Sequence, residues 1–297
     1  VRSRSERVGL DSVLDHLDRQ ARPLPAGMDA GAHGFGWDAE DASTRTWWPQ
    51  GLTTSTSDQV LLAAWYAKGR RVEHEGTRLS VVDLSSVGPR YAHVQLIEES
   101  GRPVRVHAGG LARWGSRLLV ADTRRGLRCF DLGDVARAAD GGMTLPQSGS
   151  CSPTMPTGSR PLRWSFLSLD DTVSGELFLV AGEYDRHGTG ARLVRWEVDA
   201  ETGLPGAAEP AEVVHIDIAS MQGAVRVDGT YVVAASDGRR RRGHLWTGRA
   251  GGEWRQHHEA LPVGPEDLSY DRVSGRLWTQ TEYPGRRIVF SLPLPHP

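Results

Sequence analysis

The sequence predicts an all-β fold, a five-bladed β-propeller with a short N-terminal helix, in which residues 1–30 form a helical extension and 31–297 the propeller. Three observations lead there. A hairpin pattern recurs with a period of roughly 40–50 residues or slightly more, which marks a propeller or solenoid. Only one segment has convincing helical periodicity, whereas a parallel α/β fold needs helices of about 10–15 residues between its strands. The chain has 297 residues, 38% of them hydrophobic, enough for one large core.

In order along the chain, Leu10, Val13, Leu14 and Leu17 stand at helical spacing, with Asp11 as the expected N-cap and Pro23 closing the run. From the glycine-rich stretch 31–37 onward the sequence turns to short β-like runs separated by turn residues. Residues 168–184 match 269–283, each reading as strand, Ser-Gly turn, strand and then Glu-Tyr. The same frame recurs at 111–122 and 225–236, and more loosely at 52–66.

Third strands are expected at 79–84, 127–132, 193–198, 244–247 and 288–292, and fourth strands at 93–98, 213–218 and 254–258. The last unit lacks a fourth strand of its own. Residues 31–47 are expected to supply it, closing a ring that leaves no exposed sheet edge. Aligning the first strands makes Gln50, His107, Ser165, Gln222 and Glu266 equivalent, at steps of 57, 58, 57 and 44 residues.

Charge and composition narrow the partners. A net charge of −2 lacks the basic footprint of a nucleic-acid binder. No run approaches the roughly 18 apolar residues of a membrane span, and residues 1–20 lack the apolar centre of a signal peptide. The expectation is a soluble monomer, secreted or cytoplasmic, with neither a nucleic-acid nor a membrane partner. Cys129 and Cys151 lie 22 positions apart, at a strand end and in a Pro/Gly/Ser-rich linker. Whether they pair depends on the redox compartment.

In a propeller the innermost strands line a central channel, so two rings of residues are candidates: the five equivalent positions above and the second-strand ends. The latter carry Trp65-Tyr66, Asp122-Thr123, Glu183-Tyr184, Ser236-Asp237 and Glu282-Tyr283. The repeats agree in their apolar positions and differ at these ends, as an asymmetric ligand would require. A water-lined polar channel is the other reading.

His107, followed by Ala-Gly-Gly, offers an imidazole that ordinarily titrates near neutrality. Glu183, Glu266 and Glu282 are the candidate acids and bases, because neighbouring carboxylates in a partly dry site separate acid from base roles. Gln50, Gln222, Asp122 and Asp267 are candidate polar contacts to substrate. Trp65, Tyr66, Tyr184 and Tyr283, with Trp48, are a candidate aromatic wall. Alternatively Asp267 caps a turn, or carboxylates pair with Arg163, Arg286 or Arg287. The arginine run 239–242 reads as a solvated hairpin tip. P-loop, nucleophile-elbow and zinc motifs are absent from the sequence.

The block Trp48-Pro49-Gln50-Gly51-Leu52, with the later strand 79–84, resembles the opening of plant-type glutaminyl cyclotransferases, which are five-bladed propellers. The likeness covers one blade, and that family's further tryptophan and glutamate motifs are not recognisable here. It implies cyclisation of N-terminal glutamine with Gln50 in the site. The whole chain also looks like actinobacterial propeller proteins that carry no assigned activity, in pieces such as 105–110 and 264–270. One lysine, Lys68, among 35 basic residues suits such a GC-rich source.

The expected function is a hydrolase, lyase or cyclase acting on a small polar or carbohydrate-like ligand in the channel, with His107 and a glutamate as acid and base. No cofactor is expected. Ca2+ enters only for a lactonase-like variant, which needs three or more channel carboxylates and amides at ligand distance. The alternative is a non-catalytic ligand-binding or protein-interaction propeller.

Overall fold

The computed structural model describes residues 6–28, 31–55, 58–69, 72–86, 88–206 and 208–295. The helical periodicity near the N-terminus yields α1, Gly9–Leu14, shorter than the apolar spacing suggests. Its N-cap is Val8, and Asp11 lies in the first turn. The start is displaced because the Val8 and Gly9 amides both donate to the Val135 carbonyl, which fixes the chain's entry into the helix. So short a helix is not stable alone. Val13 and Leu17 hold it by packing into the same core as Val81 and Val94.

β1, His33–Gly36, and a helix absent from the sequence reading, α2, Ala39–Ser43, precede the first full meander. That meander comprises β2, Trp47–Ser55, β3, Val60–Ala67, β4, Thr77–Asp83, and β5, Arg90–Ile97, each antiparallel to the next. A second contains β6, Leu111–Trp114, β7, Arg117–Asp122, β8, Gly126–Asp131, and β9, Met143–Cys151. A third contains β10, Phe166–Asp170, β11, Phe178–Gly182, β12, Ala191–Asp199, and β13, Glu212–Ile216.

A further meander runs through β14, Met221–Val227, β15, Thr230–Ala235, β16, Gly243–Gly248, and β17, Trp254–Leu261. The last comprises β18, Pro265–Asp271, β19, Arg276–Thr281, and β20, Ile288–Pro293. Its outer partner is β1, which pairs antiparallel with β20. The fold is all-β and propeller-like. The first strands of successive meanders pack side by side, and β18 returns to β2.

Only 33–36 of the stretch 31–47 acts as the closing strand, because the chain then turns into α2, where Asp38 caps the Asp41 amide. At Gly34 the fit requires glycine: φ is +153°, and a Cβ would stand 2.1 Å from the Val289 carbonyl oxygen. Phe35 meets Trp37 edge-on at 5.3 Å, and Trp37 meets Trp65 and Tyr91, each at 4.9 Å. This aromatic cluster, worth about 0.5–1.5 kcal/mol per ring pair beyond its area, ties the closing strand to the first meander.

β9 corrects the linker expected around Cys151. Met143–Pro146 pairs parallel with β5, and Gln147–Cys151 pairs antiparallel with β8, so this one strand fuses the first two meanders. Pro146 and Gly149 hide it from a β-pattern reading. The Cys129 and Cys151 Sγ atoms lie 3.9 Å apart as free thiols.

Candidate functional site

All five first-strand positions face one cavity of about 590 Å³: Gln50, His107, Ser165, Gln222 and Glu266. The second-strand ends complete it with Tyr66, Thr123, Tyr184, Ser236, Glu282 and Tyr283. The backbone explains why these side chains turn inward. Register breaks interrupt β2 between Pro49 and Leu52, β14 between Met221 and Gly223, and β18 between Glu266 and Ser269. A bulge re-aims the side chain it carries, and bulges concentrate beside functional sites. Ala108, Ser220 and Asp267, next to these positions, hold positive φ of 54°, 55° and 47°. Such strain persists only where surrounding structure enforces it. At Gly223 a Cβ would lie 2.4 Å from the Leu268 nitrogen, so glycine is what lets β14 approach β18 beneath the cavity.

Two carboxyls dominate the electrostatics. Glu266 is buried, and that burial, then the neighbouring Glu282 and Asp267, push its pKa well above the ordinary glutamate value. Glu282 is also raised by burial, against a hydrogen bond from Tyr283, the charges of Lys68 and Arg239, and a hydrogen bond at 3.4 Å from Gln50 Nε2. The pair therefore favours the protonated form of one member more than an isolated exposed glutamate does. His107 is open to the cavity, its ring tilted at 56° against Tyr66 with centroids 4.5 Å apart. Desolvation, then the charges of Lys68 and Arg163, lower its pKa to about 4. Its ring therefore favours the neutral form at neutral pH.

Five candidates do not line the cavity: Trp48, which lies behind Lys68, and Glu183, Trp65, Asp122 and Asp267. Glu183 is buried under Arg192 Nη2 and Arg160 Nη1, which donate at 2.8 and 2.7 Å, and it accepts the Arg163 amide at 2.9 Å. These cations replace the arginine partners expected for the carboxylates. Its pKa is lowered despite burial, chiefly by the Arg192 hydrogen bond, so it is a fixed structural anion. Trp65 is fully buried and donates from Nε1 to Ser80 Oγ at 2.8 Å. Asp122 accepts from Arg128 Nε at 3.0 Å in the next hollow.

Asp267 caps strands instead of lining the cavity. Its carboxylate accepts the amides of Leu52 at 2.8 Å, Leu268 at 3.0 Å and Leu111 at 3.3 Å, clasping β2, β6 and β18 together. Burial still raises its pKa well above the usual value.

Several site residues escaped the sequence reading. Lys68 and Arg186 line the cavity, as does Arg163, considered before only as a carboxylate partner; Asp237, one of the second-strand ends, lines it too. Lys68 and Tyr66 are two apart at the end of β3, a spacing that puts both on one face, but Lys68 lies past the matched hairpin pattern. Its Nζ stands 3.8 Å over the Trp48 ring. Arg239 reaches within 5.6 Å of the Tyr283 ring, so the run 239–242 is in part the cavity rim. Arg287, buried, donates to the Glu282 carbonyl at 2.8 Å and to the Asp41 carbonyl at 2.8 Å, which fixes the backbone that carries Glu282. Among the described residues no three His, Cys, Asp or Glu side chains are grouped to hold a metal ion. No described helix is long and apolar enough to cross a membrane.

No protein-family model matches the chain, and no curated protein matches it. Solved structures do. The chain is similar to the endo-arabinase of Bacteroides thetaiotaomicron at 11% identity and a TM-score of 0.48, over 86% of this chain and 96% of that one. It is similar to the GH43_1 enzyme of Xanthomonas citri at 11% identity and a TM-score of 0.45, over 86% and 90%. Glutaminyl cyclase of Myxococcus xanthus is similar at 12% identity and a TM-score of 0.45, over 92% and 97%.

Proposed function

We propose that residues 31–297 form a five-bladed β-propeller enzyme, with the preceding segment as its extension, and that it acts on a small polyhydroxylated substrate by general acid–base catalysis. One observation carries this reading: Glu266 and Glu282, both raised in pKa by burial and Glu266 further by Glu282, meet in a cavity lined with amides and hydroxyls. The fixed roles follow from environment. The protonated member of the pair donates to a leaving oxygen, and the ionised member accepts from water or a substrate hydroxyl. Neutral His107, resting on Tyr66, is a second hydrogen-bonding group on the substrate. Gln50 and Gln222 orient hydroxyls, and Tyr66, Tyr184 and Tyr283 cover ring faces. The meanders joined through β1 and the side-by-side first strands support the five-blade count.

The test is turnover of a panel of chromogenic glycosides, sugar lactones and N-terminal glutaminyl peptides, each with and without Ca2+, by the wild-type chain and by Glu266→Gln. One polyhydroxylated class is expected to turn over, falling by about 10²-fold or more in the variant, the scale of a lost proton-transfer group. Tight binding without turnover for every class would instead assign the cavity to a non-catalytic binding propeller.

A further inference from the structure

Three cations of the cavity lining, Lys68, Arg163 and Arg186, stand without an ion pair to a described carboxylate. Lys68 rests on Trp48, and the Arg163 guanidinium stands 5.6 Å from the Tyr184 ring, so aromatic faces hold these cations in place of anions. Arg163 and Arg186 come from the third meander, two places around the ring from Glu266 and Glu282. The carboxyl pair and Asp237, which pairs with Arg241 at 3.6 Å, offset only part of this charge. On the far side of His107 and Thr123 the adjoining hollow adds Arg105, Arg124 and Arg125 beside Glu98 and the Asp122–Arg128 pair, which leaves an excess of cations there. Such a concentration of one sign raises the local density of anions and speeds their arrival.

We propose that the ligand of this cavity is a small polyhydroxylated anion, a sugar acid or a sugar phosphate, whose anionic group seats on Arg163, Arg186 and Lys68. The inference deepens the catalytic reading of the same cavity and rests on it for the location of the reacting end. The hydroxyls then face Gln50, Gln222 and the glutamate pair. A volume of about 590 Å³ suits a ligand of this size. Carboxylate and phosphate are both read by guanidinium forks, so the shared chemistry is a planar or tetrahedral oxyanion. A coupling follows: Lys68 and Arg163 are two of the causes that hold His107 down, so an anion on them releases part of that depression.

The test is isothermal titration of the intact chain with D-glucose, D-glucuronate and D-glucose 6-phosphate, which share one ring and differ in the anionic group. At least one anionic sugar is expected to bind about 10-fold or more tightly than glucose, with the advantage shrinking as salt is added. The better of the two identifies the oxyanion. Arg163→Gln/Arg186→Gln/Lys68→Gln, the two arginines being at exposed positions, is expected to bind all three sugars equally, and Arg163→Gln/Arg186→Gln to retain the wild-type Tm and lose most of the anion advantage. The His107 ring signal in NMR is expected to titrate at a higher pH when the anionic sugar is bound. Equal binding of the three sugars by the wild type, or an anion advantage that survives in the triple variant, overturns the proposal. Failure of the catalytic reading looks different: anion selectivity intact, with turnover unchanged by Glu266→Gln.

Discussion

Gln50 Nε2 donates to Glu282 Oε2 at 3.4 Å across 232 positions of sequence. Only the return of the last meander to the first creates this contact. It places an amide on the charged form of one carboxyl while Glu266, which has no described side-chain hydrogen bond, is left to burial and repulsion. Gln280, whose Nε2 donates to the Gln50 and Gly51 carbonyls at 2.8 and 3.1 Å, holds that stretch of β2 in place.

Replacing Gln50 by alanine removes a donor that favours ionised Glu282, so the Glu282 pKa is expected to rise further. Carboxyl-selective carbon NMR across a pH series reads this as a higher midpoint for Glu282. An unchanged midpoint would mean the amide points elsewhere in solution.

Glu266 costs the fold stability. Its folded pKa lies above the unfolded value, so the folded state binds the extra proton. Its contribution is therefore favourable only at low pH and is lost as pH rises from about 4 through the folded midpoint. Glu266→Gln removes that penalty, and its Tm at pH 7 to 8 is expected to exceed wild type by a few degrees, the scale of about 1–2 kcal/mol. The difference is expected to vanish near pH 4. A destabilised variant at pH 8 would show that Glu266 is ionised and well solvated.

Glu183 behaves in the opposite way. Its lowered pKa gives stability that is present above the unfolded glutamate value and is lost as pH falls through the folded one. Glu183→Ala leaves Arg192, only 3% exposed, without its carboxylate. The expected loss is about 3–5 kcal/mol in denaturant unfolding, the cost of breaking a buried pair from one side.

Much of the site was legible because the repeat has two independent periods. The hairpin pattern located strands, and polar residues interrupting it at equivalent places marked the rings at Gln50, His107, Ser165, Gln222 and Glu266 and at the second-strand ends. The misses have a common physical origin. A strand end shows two side chains that point to opposite faces, and sequence does not say which one turns inward. Tyr66, Thr123 and Tyr184 face the cavity, while Trp65 enters the core, and Asp122 and Glu183 turn to arginines. For Asp267 the capping alternative holds: at a bulge with positive φ its carboxylate accepts the Leu52, Leu111 and Leu268 amides, a local geometry that alternation does not encode. β9 was missed because Pro146 and Gly149 disguise a strand that serves two sheets.

The catalytic proposal requires that Glu266 and Glu282 hold a proton between them at neutral pH. Infrared difference spectroscopy at pH 7, comparing the wild type with Glu266→Gln/Glu282→Gln, measures it most directly, with Asp267 present in both samples. The account predicts a protonated-carboxyl stretch in the wild type that weakens in the double variant. Equal bands in the two proteins, with carboxylate absorption lost instead, would contradict it.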